Sequence, residues 1–130
     1  MSEASTYIPG VCNINPVEIR KRRMAGRVGV VITVVLSIAL LALREPWYLS
    51  LLVFFPAFMA ATGYLQAHNH FCVGFASAGK QNADKGGQAE IITDKKALAL
   101  DKKKTQRMNL QAAGIAAAVT AVVIIIGFLI

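Results

Sequence analysis

The sequence predicts an all-α integral membrane protein with three transmembrane helices, a hairpin followed by a third, C-terminal span. Three observations predict this. Of the 130 residues, 55% are hydrophobic and 16% charged, whereas a soluble domain carries about 25% charged residues. Three long stretches contain no charge at all. The bases, 14 against 7 acids, gather in two blocks on either side of a neutral hairpin. This pattern excludes a disulfide scaffold, for which two cysteines are too few, and a disordered chain, which would be poor in aliphatics.

The first segment, 1–27, is a cytoplasmic piece with a basic helix. Asn15 is a good N-cap, Pro16 suits the first helical position, and Glu18 follows three residues after the cap. Ile14 and Ile19 occupy the positions of a hydrophobic staple. The helix continues through Arg20, Lys21, Arg22, Arg23 and Arg27, a patch suited to anionic headgroups or a partner. No aromatic residues interleave with these bases for stacking on nucleotides, so nucleic acid is not an expected partner.

The transmembrane hairpin spans 28–66. Its first apolar stretch, Val28 to Leu43, is short unless Met24, Ala25 and Gly26 join it, with Arg27 snorkelling to the headgroups. The tip is Arg44-Glu45-Pro46, and the second stretch runs from Trp47 to about Gln66. Trp47 and Tyr48 suit one aromatic belt and Tyr64 the other. Pro56 predicts a kink in the second span. The N-terminal region lacks the order of a cleaved signal peptide, and Cys12 has no apolar segment before it, as a lipoprotein cysteine would.

The loop, 67–108, reads as irregular in its first half, with Gly86-Gly87 as a flexible turn. Its second half has Thr93 as a cap and Asp94 in the first turn. With no breaker after that, a helix can run into the third span (109–130) and lift Lys102, Lys103 and Lys104 from the membrane as a solvated or lipid-contacting stalk. The segment before the first span holds five bases against two acids, and the loop eight against four. The positive-inside rule therefore puts both in the cytoplasm, giving an N-in, C-out topology in a bacterial inner membrane.

The spans contain no Asp, Glu, Lys, Arg or His, which argues against a pump or transporter acting alone. They do contain rows of small residues: Ala113, Ala117 and Ala121 recur every four positions, Gly114 pairs with Ala118, and Ala57 with Ala61. Such rows allow close helix approach. The sequence leaves open whether they pack within the chain or against a neighbour.

The one chemically suggestive cluster is His68-Asn69-His70-Phe71-Cys72. On an extended strand, His68, His70 and Cys72 lie on one side. With Cys12 folded over they form a Cys2His2 set, enough for zinc or another metal. The C-x2-C doublets of a strong zinc pattern are missing. A Cys12–Cys72 thiol pair and unligated side chains remain open beside the metal. Haem is disfavoured, because histidines two apart on one segment cannot flank an iron from opposite faces.

Cys12 to Arg23 (CNINPVEIRKRR) and Gly63 to Gly79 (GYLQAHNHFCVGFASAG) resemble two signatures of small, uncharacterised bacterial membrane proteins. In those, a Cys-Asn-Ile-x-Pro opening precedes a basic helix and a two-span hairpin, similar to the membrane domain fused to some rhodaneses. The resemblance covers residues 12–79. It departs at Asn15, where the pattern implies Gly, and at His68 and His70. It implies a fold and a location more than an activity, and favours the two cysteines over the histidines.

These readings lead to a non-enzymatic accessory or assembly subunit of a larger inner-membrane complex, such as a respiratory one, with other membrane subunits, a second copy or anionic lipids as partners. The alternative is a thiol-redox or metal-binding membrane protein using Cys12 and Cys72. No Ser/His/Asp arrangement, phosphate loop or carboxylate pair supports an enzyme.

Overall fold

A computed structural model describes residues 7–83 and 90–130. Helix α1 is Pro16–Ala42, and a 3-10 helix, Trp47–Val53, leads directly into α2, Phe54–Asn69. A short helix α3, Val73–Ser77, and two two-residue strands, β1 (Lys80–Gln81) and β2 (Glu90–Ile91), precede α4, Lys95–Leu129. The strands pair antiparallel, Lys80 opposite Ile91. Among the described residues, three helical stretches are long and apolar enough to cross a membrane: α1, the unit Trp47–Asn69, and α4. Their outward faces are rows of exposed aliphatics such as Val31, Val35 and Ile38. Left in water, such a surface would forgo the burial that stabilises a soluble fold.

α1 starts where its signals lie: the Asn15 side chain accepts from the Glu18 backbone N–H at 3.0 Å, and Pro16 takes the first position. At 27 residues it is about 40 Å long, one rod through both the basic patch and the apolar run. α4, at 35 residues, reaches about 52 Å. Its cap is Asp94, whose side chain accepts from Lys96 N–H, one residue later than the Thr93 cap that the sequence predicts. Asp94 is the residue that keeps extended backbone while its carboxylate meets an orphan N–H.

α2 lies between α1 and α4 and packs on both. The α1–α2 crossing is backbone on backbone. A Cβ on Gly63 would stand 2.5 Å from the Gly26 nitrogen, and one on Gly29 would stand 2.6 Å from the Ala60 nitrogen. The close approach therefore belongs to Gly26, Gly29, Ala60 and Gly63. On α4 the buried stripe is Ala97, Asp101, Thr105, Met108, Ala112, Ala116, Thr120 and Val123, a continuous helical row.

Several sequence expectations change. Pro56 sits in the first turn of α2, at the 3-10-to-α junction inside the Trp47–Asn69 unit. The second helix runs on to Asn69, so His68 is helical rather than on a strand. The start of the loop is not irregular: it holds α3 and β1. Gly86, Gly87 and Lys85 lie outside the described residues. Ala57 and Ala61 are buried, whereas Gly114, Ala117, Ala118 and Ala121 face outward and Ala113 is half-buried. The row one position away, Ala112, Ala116 and Thr120, carries the internal packing.

Candidate functional site

The residues of the two signatures meet at the basic end of the bundle. A tight turn pairs Ile8 with Cys12, with Gly10 at φ +72°, and feeds an extended strand-like run, Cys12–Asn15, into α1. Asn13 is fully buried there. Its side chain closes a two-point clasp on residue 72: Oδ1 accepts from the Cys72 N–H at 2.6 Å, and Nδ2 donates to the Cys72 carbonyl at 3.1 Å. Its backbone N–H donates to the His70 carbonyl, and its own carbonyl accepts from Asn82 N–H. Asn15 adds a bond from Nδ2 to the Asn82 carbonyl, so one asparagine caps α1 and ties it to the loop.

The other half is built by the end of α2. His70 takes the left-handed conformation, φ +53°, and its N–H returns to the Gln66 carbonyl. The Phe71 N–H donates to the same carbonyl, and Gln66 Oε1 accepts from Val73 N–H. The chain thus reverses within three residues and drops Phe71, fully buried, against Ala76 and Met108. The stalk of α4 closes the cap. The buried Asp101 accepts from Tyr7 Oη at 2.8 Å and from Gly10 N–H at 2.7 Å. Lys104 Nζ donates to Asn69 Oδ1 at 3.0 Å. The stalk is therefore not solvated all round: one face is core, while Lys102 and Lys103 remain exposed. Burial and the Asp101 carboxylate raise the Tyr7 phenol well above its ordinary range.

The four proposed metal ligands are not gathered. Both sulfurs are buried and free, and each has its own partner. Cys12 Sγ donates to the Ile14 carbonyl at 3.6 Å, and burial pushes its thiol up. Cys72 Sγ accepts from Arg22 Nη2 at 3.1 Å. His68 and His70 are exposed, diverging as expected once the helix continues through His68 and turns left-handed at His70. Among the described residues, no three His, Cys, Asp or Glu side chains converge as a metal set. The basic patch divides similarly. Arg20, Lys21 and Arg23 are exposed, while Arg22 is held between Cys72 and Glu18, 3.3 Å from the latter's Oε2.

No protein-family model matches the chain, and comparison with curated proteins and with solved structures returns no match either. What the geometry displays is a polar clasp: Asn13, Asn15, Gln66 and Asp101 spend hydrogen bonds on backbone and side chains of the fold. Sequence reasoning passed over Asn13, Gln66, Tyr7 and Asp101 in favour of Cys and His. Asn13 and Gln66 lie in the same two segments, Cys12 to Arg23 and Gly63 to Gly79, as the cysteines.

Proposed function

We propose that the protein is a non-enzymatic accessory or assembly subunit of a larger bacterial inner-membrane complex, with the basic cap in the cytoplasm. The observation that carries this is the outward face of α4. Gly114, Ala117, Ala118 and Ala121 form a smooth surface that the chain's own hairpin leaves uncovered, and a Cβ on Gly114 would meet nothing within 4 Å. Small residues on a lipid-facing surface contribute little against acyl chains but let another helix approach closely. The positive-inside rule supports the orientation, since Arg20, Lys21, Arg23, Lys102 and Lys103 all lie exposed at the cap end.

The test is extraction in mild detergent and sizing of the tagged protein. The proposal expects a high-mass assembly that Ala117→Leu with Ala121→Leu disperses while helicity is retained. Migration as a lone monomer overturns it.

A second reading rests on the Arg22–Cys72 contact. It sets a cationic side chain 3.1 Å from one of two buried, free sulfurs, and supports a thiol-redox role with Cys12 as the other thiol. Thiol counting with and without reductant, together with metal analysis, decides. Two free thiols in both conditions and no bound metal eliminate it.

A further inference from the structure

The three helices leave an apolar trough of about 460 Å³ at the basic end, within the range of small-molecule sites. Its floor is the small-residue face of α2, Ala57, Ala60 and Ala61. Its walls are Val30 and Val34 of α1 and Ile115 and Val119 of α4. The trough exists because three alanines stand where larger side chains would fill the space between α1 and α4. It is open sideways, with Val30, Val34 and Ile115 all exposed.

Two observations identify the occupant. The first is length. The floor runs from Ala57 to His68, a rise of about 16 Å, which is half of a hydrocarbon core about 30 Å thick. That length matches the lipid tail of one leaflet. The second is charge. Among the described residues, His68 is the one ionisable group on the lining apart from the Tyr64 phenol, and it stands at the basic end. Arg23, Arg27, Val30 and Val34 follow one another on a single stripe of α1, so two guanidiniums lie directly below the wall. On α4, Lys104 is fixed to Asn69, the neighbour of His68. Three helices thus bring basic side chains to the trough's polar end, and among the described residues no acid joins its lining.

We infer that this trough is a binding site for one anionic diacyl phospholipid, a tail lying on the alanine floor and the phosphate held among Arg23, Arg27, His68 and Lys104. This goes beyond the assembly role and needs no partner subunit. It differs from a diffuse attraction to anionic membranes in predicting a stoichiometric lipid.

Purified protein in mild detergent is titrated with phosphatidylglycerol and with phosphatidylcholine of identical tails, read by native mass spectrometry. Glycerol phosphate serves as a tail-free arm. One phosphatidylglycerol per chain, held at least about ten-fold tighter than phosphatidylcholine, with no binding of glycerol phosphate, is the expected result. Val34→Trp, an exposed position whose indole fills the trough, lowers retention at least about ten-fold. Arg27→Gln with His68→Gln brings phosphatidylglycerol down to the phosphatidylcholine level, and circular dichroism checks that helicity holds in each variant. Equal retention of the two lipids, glycerol phosphate binding as well as the lipid, or undiminished retention by a folded Val34→Trp overturns the site. A dimer that Val34→Trp dissociates overturns it too, since the trough would then seat a second copy.

Discussion

Asn13 performs two tasks that no aliphatic residue of its size can combine. It fills a fully buried position, and it satisfies both the N–H and the carbonyl of Cys72. Asn13→Ala orphans both, at roughly 1–3 kcal/mol for each buried group. The expected outcome is a cap that opens before the bundle melts, seen as faster amide exchange at residues 70–73 with the helicity of the three apolar helices intact. His70 makes the opposite case. Its ring is exposed while its backbone sits left-handed, a conformation that costs an L side chain about 1 kcal/mol or more. His70→Gly should therefore raise the melting temperature slightly; a fall accompanied by loss of bound metal would restore the histidine-ligand reading. Tyr7 and Cys12 make the cap sensitive to alkali. Both groups are raised by burial above ordinary values of 10.0 and 9.0, so the unfolded chain loses those protons first. Stability is then full below about pH 9 and falls as pH rises beyond it. Melting curves across that range check this, and Tyr7→Phe should flatten the part that lies above the ordinary tyrosine value.

The elements differ in what their small residues do. Gly63 faces backbone of α1, and a methyl there must push two helices apart, since the nearest atoms are the Gly26 nitrogen and the Arg22 carbonyl oxygen at 2.7 Å. Overpacking of this kind costs about 1–3 kcal/mol, and rigid neighbours favour the upper end. Gly63→Ala should therefore lower the melting temperature of the detergent-solubilised protein. Gly114→Ala meets open space and should leave the melting temperature unchanged or raise it, because Ala is the better helix former by up to about 1 kcal/mol. The spacing of these glycines is visible in the sequence, but nothing there distinguishes Gly29 from Gly114. Which face of a helix is covered depends on the crossing, and in an all-apolar span the hydrophobic pattern that normally marks the inner face is absent. For the same reason, a row at 113, 117 and 121 looks equivalent to its neighbour at 112, 116 and 120.

At the scale of the molecule, the apolar helices were legible because their cause is local: runs of about twenty uncharged residues and caps such as Asn15 and Pro16. The cap was not legible, because its contacts join residues 59, 67 and 91 positions apart. His68 to Cys72 failed as a strand for a related reason. Spacing alone fits either geometry, and the decision came from α2 continuing through Gln66 to Asn69 under tertiary packing. Asp101, the one buried carboxylate among the described residues, sits among lysines in a segment that reads as a solvated stalk, and only the folded N-terminal turn shows why it faces inward.

α4 carries one buried stripe from Ala97 to Val123, crossing from the cap into the bundle without a joint. The two layers are therefore locked in rotational phase. A single residue inserted after Asn109 turns one layer by about 100° against the other, so Asp101 leaves Tyr7 and Gly10 or Ala112 and Ala116 leave α2. A seven-residue insertion, close to two whole turns, returns the phase and only lifts the cap by about 10 Å. Protease resistance of the cap should thus be lost with one added residue and partly regained with seven. α4 behaves as a drive shaft: a twist of its apolar half also turns the basic cap built on its other half.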